Sequence, residues 1–388
     1  MAPLARFAGA PGLTFAVVCL GVLLHVAAVQ LTHLAGRPRG RHPSGHPALG
    51  AALAVLAVAP LAVAVATTPP TAGRPVSVLF VQGNVPKPGL DFNGERRAVL
   101  DNHVRATLAA TSGENRPPTL VVWPENASDI DPLTNLDAEA DIRLAVESAG
   151  APVLVGAVLD GPGEYVSNAS LFYRPGAPQA DPARYVKQHP VPFAEYIPYR
   201  SFFRNFSDKV DLVARDFTKG SGPGGFEVPV PGGRPYWIIP TICFEVAYDD
   251  LMRDSTLQQG RGDSILAVQT NNATFGYTAE SEQQFAISRL RAIEHGRSIV
   301  HVSTVGVSGF INPDGTYVDK TTLFTQAARW GSPVVRSEVT VSDRIGALPE
   351  YAAAAAGLVL LALSLWSVRR PARVVAPRES TRKERVVV

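Results

Sequence analysis

Three residues whose types suit acyl chemistry stand at the ends of apolar runs. Glu125 follows Val121-Val122-Trp123-Pro124, Lys187 follows Arg184-Tyr185-Val186, and Cys243 follows Ile238-Ile239-Pro240-Thr241-Ile242. Attack of a thiolate on a carbonyl carbon needs a base for the thiol proton, and the tetrahedral intermediate needs a cation or N–H donors for its oxyanion. A carboxylate, an ammonium and a thiol supply those parts. An ammonium beside the sulfur also favours thiolate, so the Cys243 pKa is expected below its usual value of about 8.5. Taken singly, each residue has an ordinary explanation: a helix-start charge, a solvated lysine, and a cysteine used for packing.

The elements that must position these residues alternate between short β-branched runs and helical patterns. Residues 75–82 (PVSVLFVQ), 119–123, 152–159, 236–242, 265–269, 299–303 and 307–311 read as strands, and 96–111, 136–149 and 280–295 as helices. That alternation predicts an α/β fold with largely buried sheets, in which chemistry gathers at strand ends. An irregular Pro- and Gly-rich middle precedes Tyr236, with Gly, Pro and aromatic residues concentrated between Pro190 and Gly233. A loop of that length in a compact domain is usually functional, and its Phe and Tyr content argues against simple disorder.

The words around the three residues are more specific than their spacing. VVWPENAS at 121–128, KQHPVPFAEYIP at 187–198 and ICFEVAYDD at 242–250 resemble the active-site segments of apolipoprotein N-acyltransferases, members of the nitrilase (carbon-nitrogen hydrolase) superfamily. VQGNVP at 81–86, TNNATFG at 270–276 and SRLRAIEHGRSIV at 288–300 are also similar, the actinobacterial branch especially. The resemblance covers about residues 75–343. It implies a four-layer α/β/β/α sandwich flanked by transmembrane helices, with Glu125 as general base, Lys187 as oxyanion-stabilising lysine and Cys243 as nucleophile. Glu195 and Glu245 match further acidic positions near the thiol. It implies too that a phospholipid donates an acyl chain to the cysteine, that the thioester then acylates the α-amine of diacylglyceryl-cysteine on a lipoprotein, and that no metal or nucleotide cofactor takes part. The chain departs from the family in having two rather than several apolar spans before the catalytic region, Thr274 where Trp is common, and Phe244 where Tyr is common.

Three stretches are long and apolar enough to span a bilayer: residues 13–34, 48–66 and 348–368. A cleavable signal peptide is the alternative for the first, but its apolar run is longer than a typical signal core and a second span follows closely. Arg37, Arg39 and Arg41 lie between the first two spans, and Arg369, Arg370, Arg373, Arg378, Arg382, Lys383 and Arg385 follow the third. Because short basic segments prefer the cytoplasm, one topology satisfies both clusters. Residues 1–70 form two transmembrane helices with a basic cytoplasmic loop, 75–345 an extracytoplasmic catalytic domain, 348–368 a third span, and 369–388 a basic cytoplasmic tail. The protein is expected in the cell membrane. A net charge of +2 argues against nucleic acid as a partner. Cys19 and Cys243 are the only cysteines, one in a span and one in the domain, so no disulfide framework or zinc spacing is present.

Immediately after the Lys187 segment, Phe193, Tyr196, Tyr199, Phe202, Phe203 and Phe206 interleave with Arg200 and Arg204. Aromatic side chains favour the membrane interface and arginine pairs with phosphate, so this stretch is expected to form a lipid-entry loop, with a core-packing loop as the plain alternative. Two other functions fit the same chemistry less directly. A membrane-tethered amidase or nitrile hydrolase would use the same three groups with water in place of an amine. A non-catalytic scaffold would anchor a partner such as the polyprenol-phosphate glycosyltransferase associated with actinobacterial relatives.

Overall fold

The computed structural model describes residues 2–35, 66–85, 96–113, 117–177, 182–259 and 262–368, with positions 55, 59, 62 and 63. Most of the second expected span and both basic clusters, 37–41 and 369–385, lie outside the described residues. Met1–Gly346 and Ala347–Val388 form separate compact units.

In the first unit the strands are β1 (Arg74–Pro75), β2 (Val78–Gln82), β3 (Leu120–Val122), β4 (Val153–Asp160), β5 (Val166–Tyr173), β6 (Ala183–Val186), β7 (Phe226–Val228), β8 (Tyr236–Ile242), β9 (Ser264–Thr270), β10 (Ile299–Ser303), β11 (Gly309–Ile311), β12 (Tyr317–Val318), β13 (Ala327–Gly331) and β14 (Val334–Val335). The helices are α1 (Ala5–Ala35), α2 (Arg96–Thr111), α3 (Leu136–Ala149), α4 (Arg200–Phe203), α5 (Asp249–Gln259), α6 (Glu280–His295) and α7 (Val341–Ile345).

Two six-stranded sheets carry the architecture, ordered β13-β2-β3-β4-β5-β6 and β12-β11-β10-β9-β8-β7. Each has a parallel centre, β2-β3-β4 in one and β8-β9-β10 in the other, with antiparallel strands outside it. Parallel neighbours need a crossover, and α2 and α3 serve the first centre as α5 and α6 serve the second. The two sheets face each other across a core that includes Phe80, Leu154, Ile238, Ala267, Val300 and Phe310. The other face of the first sheet packs on α2 and α3 through Leu100, Val104, Ile142 and Val146, and that of the second on α5 and α6 through Met252, Phe285 and Ala292. The four-layer α/β/β/α sandwich expected from the sequence is therefore present.

Local sequence accounts for the regular parts. In β2, Val78 and Phe80 point into the intersheet core while Leu79 and Val81 meet the helices, so all four are buried on a strand with no polar side. Helix α3 opens at Asn135, whose side chain accepts the Ala138 N–H at 3.0 Å, and stops at Gly150 in the left-handed conformation. Its buried positions, Ala138, Ile142, Ala145, Val146 and Ala149, repeat at helical spacing.

The stretch between β4 and Tyr236, expected to be irregular, contains β5, β6 and β7. β5 escapes sequence reading because its inward face is polar: Asn168 and Ser170 replace apolar residues there and hydrogen-bond groups of the site instead. Helix α5 and strand β13 are further elements the apolar patterns do not reveal.

Helix α1 is kinked at Gly9 (φ 68°), where a side chain would bring its Cβ within 2.8 Å of Glu294 Oε1. Ala5 is buried on that side of the kink. Ala2–Val29 is long and apolar enough to cross a membrane by length and composition. In the second unit, α8 (Leu348–Val368) meets the same criterion over Leu348–Trp366.

Candidate active site

Glu125, Lys187 and Cys243 come from three different strand ends and converge. Cys243 is the first residue after β8, and its φ of 56° turns the chain abruptly from strand into the short 3-10 turn Cys243–Ala247. A left-handed conformation at a non-glycine residue is costly and needs support from its surroundings. Glu245 supplies that support. One oxygen accepts the N–H of Ile242 at 2.7 Å and the Tyr185 hydroxyl at 2.9 Å, and the other accepts the N–H groups of Gln188 at 2.5 Å and His189 at 3.3 Å. One fully buried carboxylate thus ties the cysteine turn to the segment carrying Lys187. Burial raises the Glu245 pKa against the pull of these donors.

Glu125 is fixed mainly from the opposite sheet. Its Oε2 accepts the Asn271 N–H at 2.7 Å, its backbone carbonyl accepts the Thr304 hydroxyl at 2.7 Å, and the preceding Trp123 carbonyl accepts Gln269 Nε2 at 2.7 Å. Its Oε1 accepts from Asn168 Nδ2 at 2.7 Å and from Lys187 Nζ at 3.2 Å. The Lys187 ammonium also donates to Glu195 at 2.9 Å, and Glu195 in turn accepts from Asn168 Nδ2 at 3.0 Å and the Val191 N–H at 2.8 Å. The result is a buried array of two carboxylates around one ammonium.

Electrostatics follow from that arrangement. Burial alone would lower the Lys187 pKa, but Glu125, the Cys243 sulfur and Glu195 together outweigh it and hold the pKa well above its usual value. Burial pushes Glu125 upward, opposed by Lys187 and reinforced by Glu195. The Cys243 thiol is pushed up to about 11, by burial first and the Glu125 charge second, against the pull of Lys187. The expected lowering of this pKa is therefore reversed, because the ammonium is shared between two carboxylates and the sulfur is desolvated.

The side chains of Thr270 and Gln284 reach the sulfur, each at 3.6 Å. Asn168, Thr270, Asn271 and Gln284 were not singled out by sequence reading. Thr270 and Asn271 fall inside the recognised TNNATFG segment, but Asn168 and Gln284 carried no local signal of their own. Cys243 opens onto a cavity of about 890 Å³, lined by apolar groups such as Val158, Val191, Phe217, Phe244 and Ile287 together with Arg96, Asp129 and Asp131. A volume of this order takes a drug-sized ligand.

In the aromatic loop the rings divide between exposed and partly buried positions. Phe193, Tyr199, Phe202 and Phe206 are exposed, and Phe203 joins Phe193 and Phe202 edge to face. Tyr196 is half-buried. The two arginines do not present free cations: Arg200 donates to the carbonyls of Val210 and Val213 and pairs with Asp216, while Arg204 pairs with Asp211 at 2.6 Å. Each arginine is thus paired with an aspartate of the same loop, the Arg200 pair half-buried and the Arg204 pair exposed.

No protein-family model matches the sequence. The chain is 37% identical to the apolipoprotein N-acyltransferase of Mycolicibacterium smegmatis over 98% of its own length and 65% of that protein. It is 30% identical to the Azotobacter vinelandii protein of the same name, over 99% of this chain and 69% of that one, and 31% identical to the Ralstonia nicotianae protein, over 82% and 58%. Among solved structures, an amidase of the nitrilase superfamily from Nesterenkonia AN1 resembles it with a TM-score of 0.47 and 15% identity, over 70% of this chain and 93% of that one. The chain belongs to the apolipoprotein N-acyltransferase family. It spans between 58% and 69% of the length of these three relatives.

Proposed function

We propose that this chain is a membrane-anchored N-acyltransferase that moves a fatty acyl chain from a phospholipid through a Cys243 thioester to the α-amine of diacylglyceryl-cysteine on a lipoprotein. The observation that carries this reading is the buried Glu125–Lys187–Glu195 array beside a cysteine that opens onto a large, partly apolar cavity.

In the first half-reaction Glu125 takes the thiol proton as Cys243 Sγ attacks the ester carbonyl carbon. Lys187 has two N–H groups engaged by carboxylates, and its third donates to the developing oxyanion. Collapse of the intermediate breaks the ester C–O bond. The lysophospholipid leaves as an alcohol, with the proton Glu125 had taken. In the second half-reaction the neutral amine attacks the thioester, Glu125 accepts a proton from its nitrogen, the C–S bond breaks, and that proton returns to the sulfur. Each half-reaction thereby restores Glu125 and Cys243 to their starting protonation states.

The exposed rings of Phe193, Tyr199, Phe202 and Phe206 suit a loop that meets the outer leaflet, where aromatic groups are favoured. The domain lies outside the cytoplasm, a placement that rests on the arginine clusters and the apolar stretches beside them. Mass spectrometry of lipoprotein N-termini tests the reading. Cells lacking the gene should carry free α-amines, and this chain alone should restore the N-acyl mass increment. Unmodified amines in the complemented cells would count against it.

A further inference from the structure

Sulfur carries negative charge twice in the proposed cycle, once when its proton leaves before attack and once when it is expelled from the thioester. Lys187 is shared with Glu125 and Glu195, so the question is which other group meets that charge.

Thr270 and Gln284 are the hydrogen-bond neighbours of Sγ among the described residues, both at 3.6 Å. Their protons are not equally available. Thr270 has a single hydroxyl proton and two acceptors, the sulfur and Gln284 Oε1, and the latter is only 2.8 Å away. The shorter contact takes the proton while the sulfur is a neutral thiol. The Gln284 amide is locked in the orientation needed to serve the sulfur. Its Oε1 accepts from Thr270 Oγ1 and from Asn272 Nδ2, the latter also at 2.8 Å. The Asn272 amide is itself fixed, because its Oδ1 accepts the hydroxyls of Ser303 at 2.8 Å and Ser281 at 3.3 Å. Both serine oxygens already accept backbone N–H groups, Ser303 from Gly306 at 2.9 Å and Ser281 from Val307 at 2.8 Å, which leaves their protons for Asn272 Oδ1. Flipping the glutamine alone would set its NH2 against the Asn272 NH2, and flipping both amides would strand the serine protons, so the network favours Nε2 facing Sγ.

Resting on the proposed cysteine chemistry, we infer that Gln284 is a further catalytic group whose amide N–H holds the Cys243 sulfur whenever that sulfur carries charge. The residue is almost fully buried on α6 and lines the cavity, so water does not compete freely for the contact. Thr270 is a conditional second donor, able to turn from Gln284 Oε1 to the sulfur once the thiol proton has gone. The step is proton transfer alone: the thiol proton goes to the Glu125 carboxylate, and the Gln284 N–H remains covalently on its nitrogen throughout.

The test is the pH dependence of Cys243 alkylation by iodoacetamide, read by peptide mass spectrometry on the full chain in detergent. It compares wild type with Gln284→Met, of similar size but without a donor. A hydrogen bond to a charged group is worth enough to change the thiolate population about 10- to 100-fold. The variant should therefore alkylate Cys243 at least tenfold more slowly at pH 9, with its profile displaced to higher pH. Gln284→Leu, likewise uncharged and without a donor, should move the profile in the same direction and carries the test if the methionine variant does not fold. An unchanged profile in a folded variant, or a rate loss without displacement, overturns the assignment. Since no lipid enters this measurement, its outcome is independent of whether Cys243 accepts an acyl chain from phospholipid.

Discussion

Glu245 and Gln188 lie 57 residues apart in the chain, and the carboxylate of the first accepts the backbone N–H of the second at 2.5 Å. The same carboxylate holds the Ile242 N–H, so the spacing between Lys187 and Cys243 depends on one buried side chain. Glu245→Gln replaces an acceptor by a donor facing N–H groups, and it is expected to lower stability by about 1 to 3 kcal/mol. Acyl transfer should fall as the cysteine turn loosens. Thermal melting beside the acylation rate checks this, and an unchanged melting temperature would show that the link is dispensable.

Glu125→Gln should have opposite effects on two reactions of the same sulfur. Removing its charge removes the second largest cause of the raised thiol pKa, so iodoacetamide alkylation at pH 8 should become faster. Acyl transfer should slow by about 10² to 10⁴ because the base is gone. Lys187→Met should slow transfer by a similar factor, through loss of the oxyanion donor, in a protein that still folds. Parallel change in alkylation and transfer for Glu125→Gln would mean that the carboxylate is structural.

His103 gives a pH dependence unrelated to catalysis. It is fully buried, with Nδ1 donating to the Val99 carbonyl at 2.8 Å and Nε2 accepting the Gly83 N–H at 3.0 Å, which fixes a neutral ring. Burial lowers its pKa to about 4 from 6.5. The folded pKa lies below the unfolded one, so the contribution is fully present above about pH 6.5 and is lost as pH falls toward 4. The size is about 3 kcal/mol at most. Melting temperature should drop between pH 7 and pH 5 in wild type and less in His103→Gln.

The aromatic loop should matter for lipid and not for chemistry. Phe202→Ser with Phe206→Ser should reduce Cys243 acylation from phospholipid vesicles by roughly tenfold or more, the scale of two aromatic side chains leaving an apolar phase. Acylation by a soluble short-chain thioester should be spared. Arg200→Ala belongs to a different class: its bonds to Val210, Val213 and Asp216 make it a brace of the loop, so both donors should be affected together. Selective loss of the vesicle reaction in Arg200→Ala would restore it as a lipid contact.

Much of this was legible in the chain because local chemistry and tertiary position agree. The limits of α3 follow from Asn135 and Gly150, and β8 and β10 are apolar runs that must be buried wherever they lie. Glu125, Lys187 and Cys243 were readable through the words around them. Asn168 was not, because β5 turns polar side chains inward to serve a site assembled from distant segments, and a period-2 apolar pattern is then absent. The direction of the Cys243 pKa was misread for the same reason: it depends on burial and on Glu125, neither of which is visible from the residues next to the cysteine. The pairing of Arg200 and Arg204 is not legible in the chain because aspartates 16 and 7 residues further along come back to meet them only in the folded loop.

The most direct measurement is transfer of an alkyne-tagged acyl chain from phospholipid vesicles to the membrane-inserted protein. Wild type should acquire a label on Cys243 that neutral hydroxylamine releases, and Cys243→Ala should acquire none. Equal labelling of the Cys243→Ala protein, or a label on wild type that hydroxylamine leaves in place, would contradict a cysteine thioester as the acyl carrier.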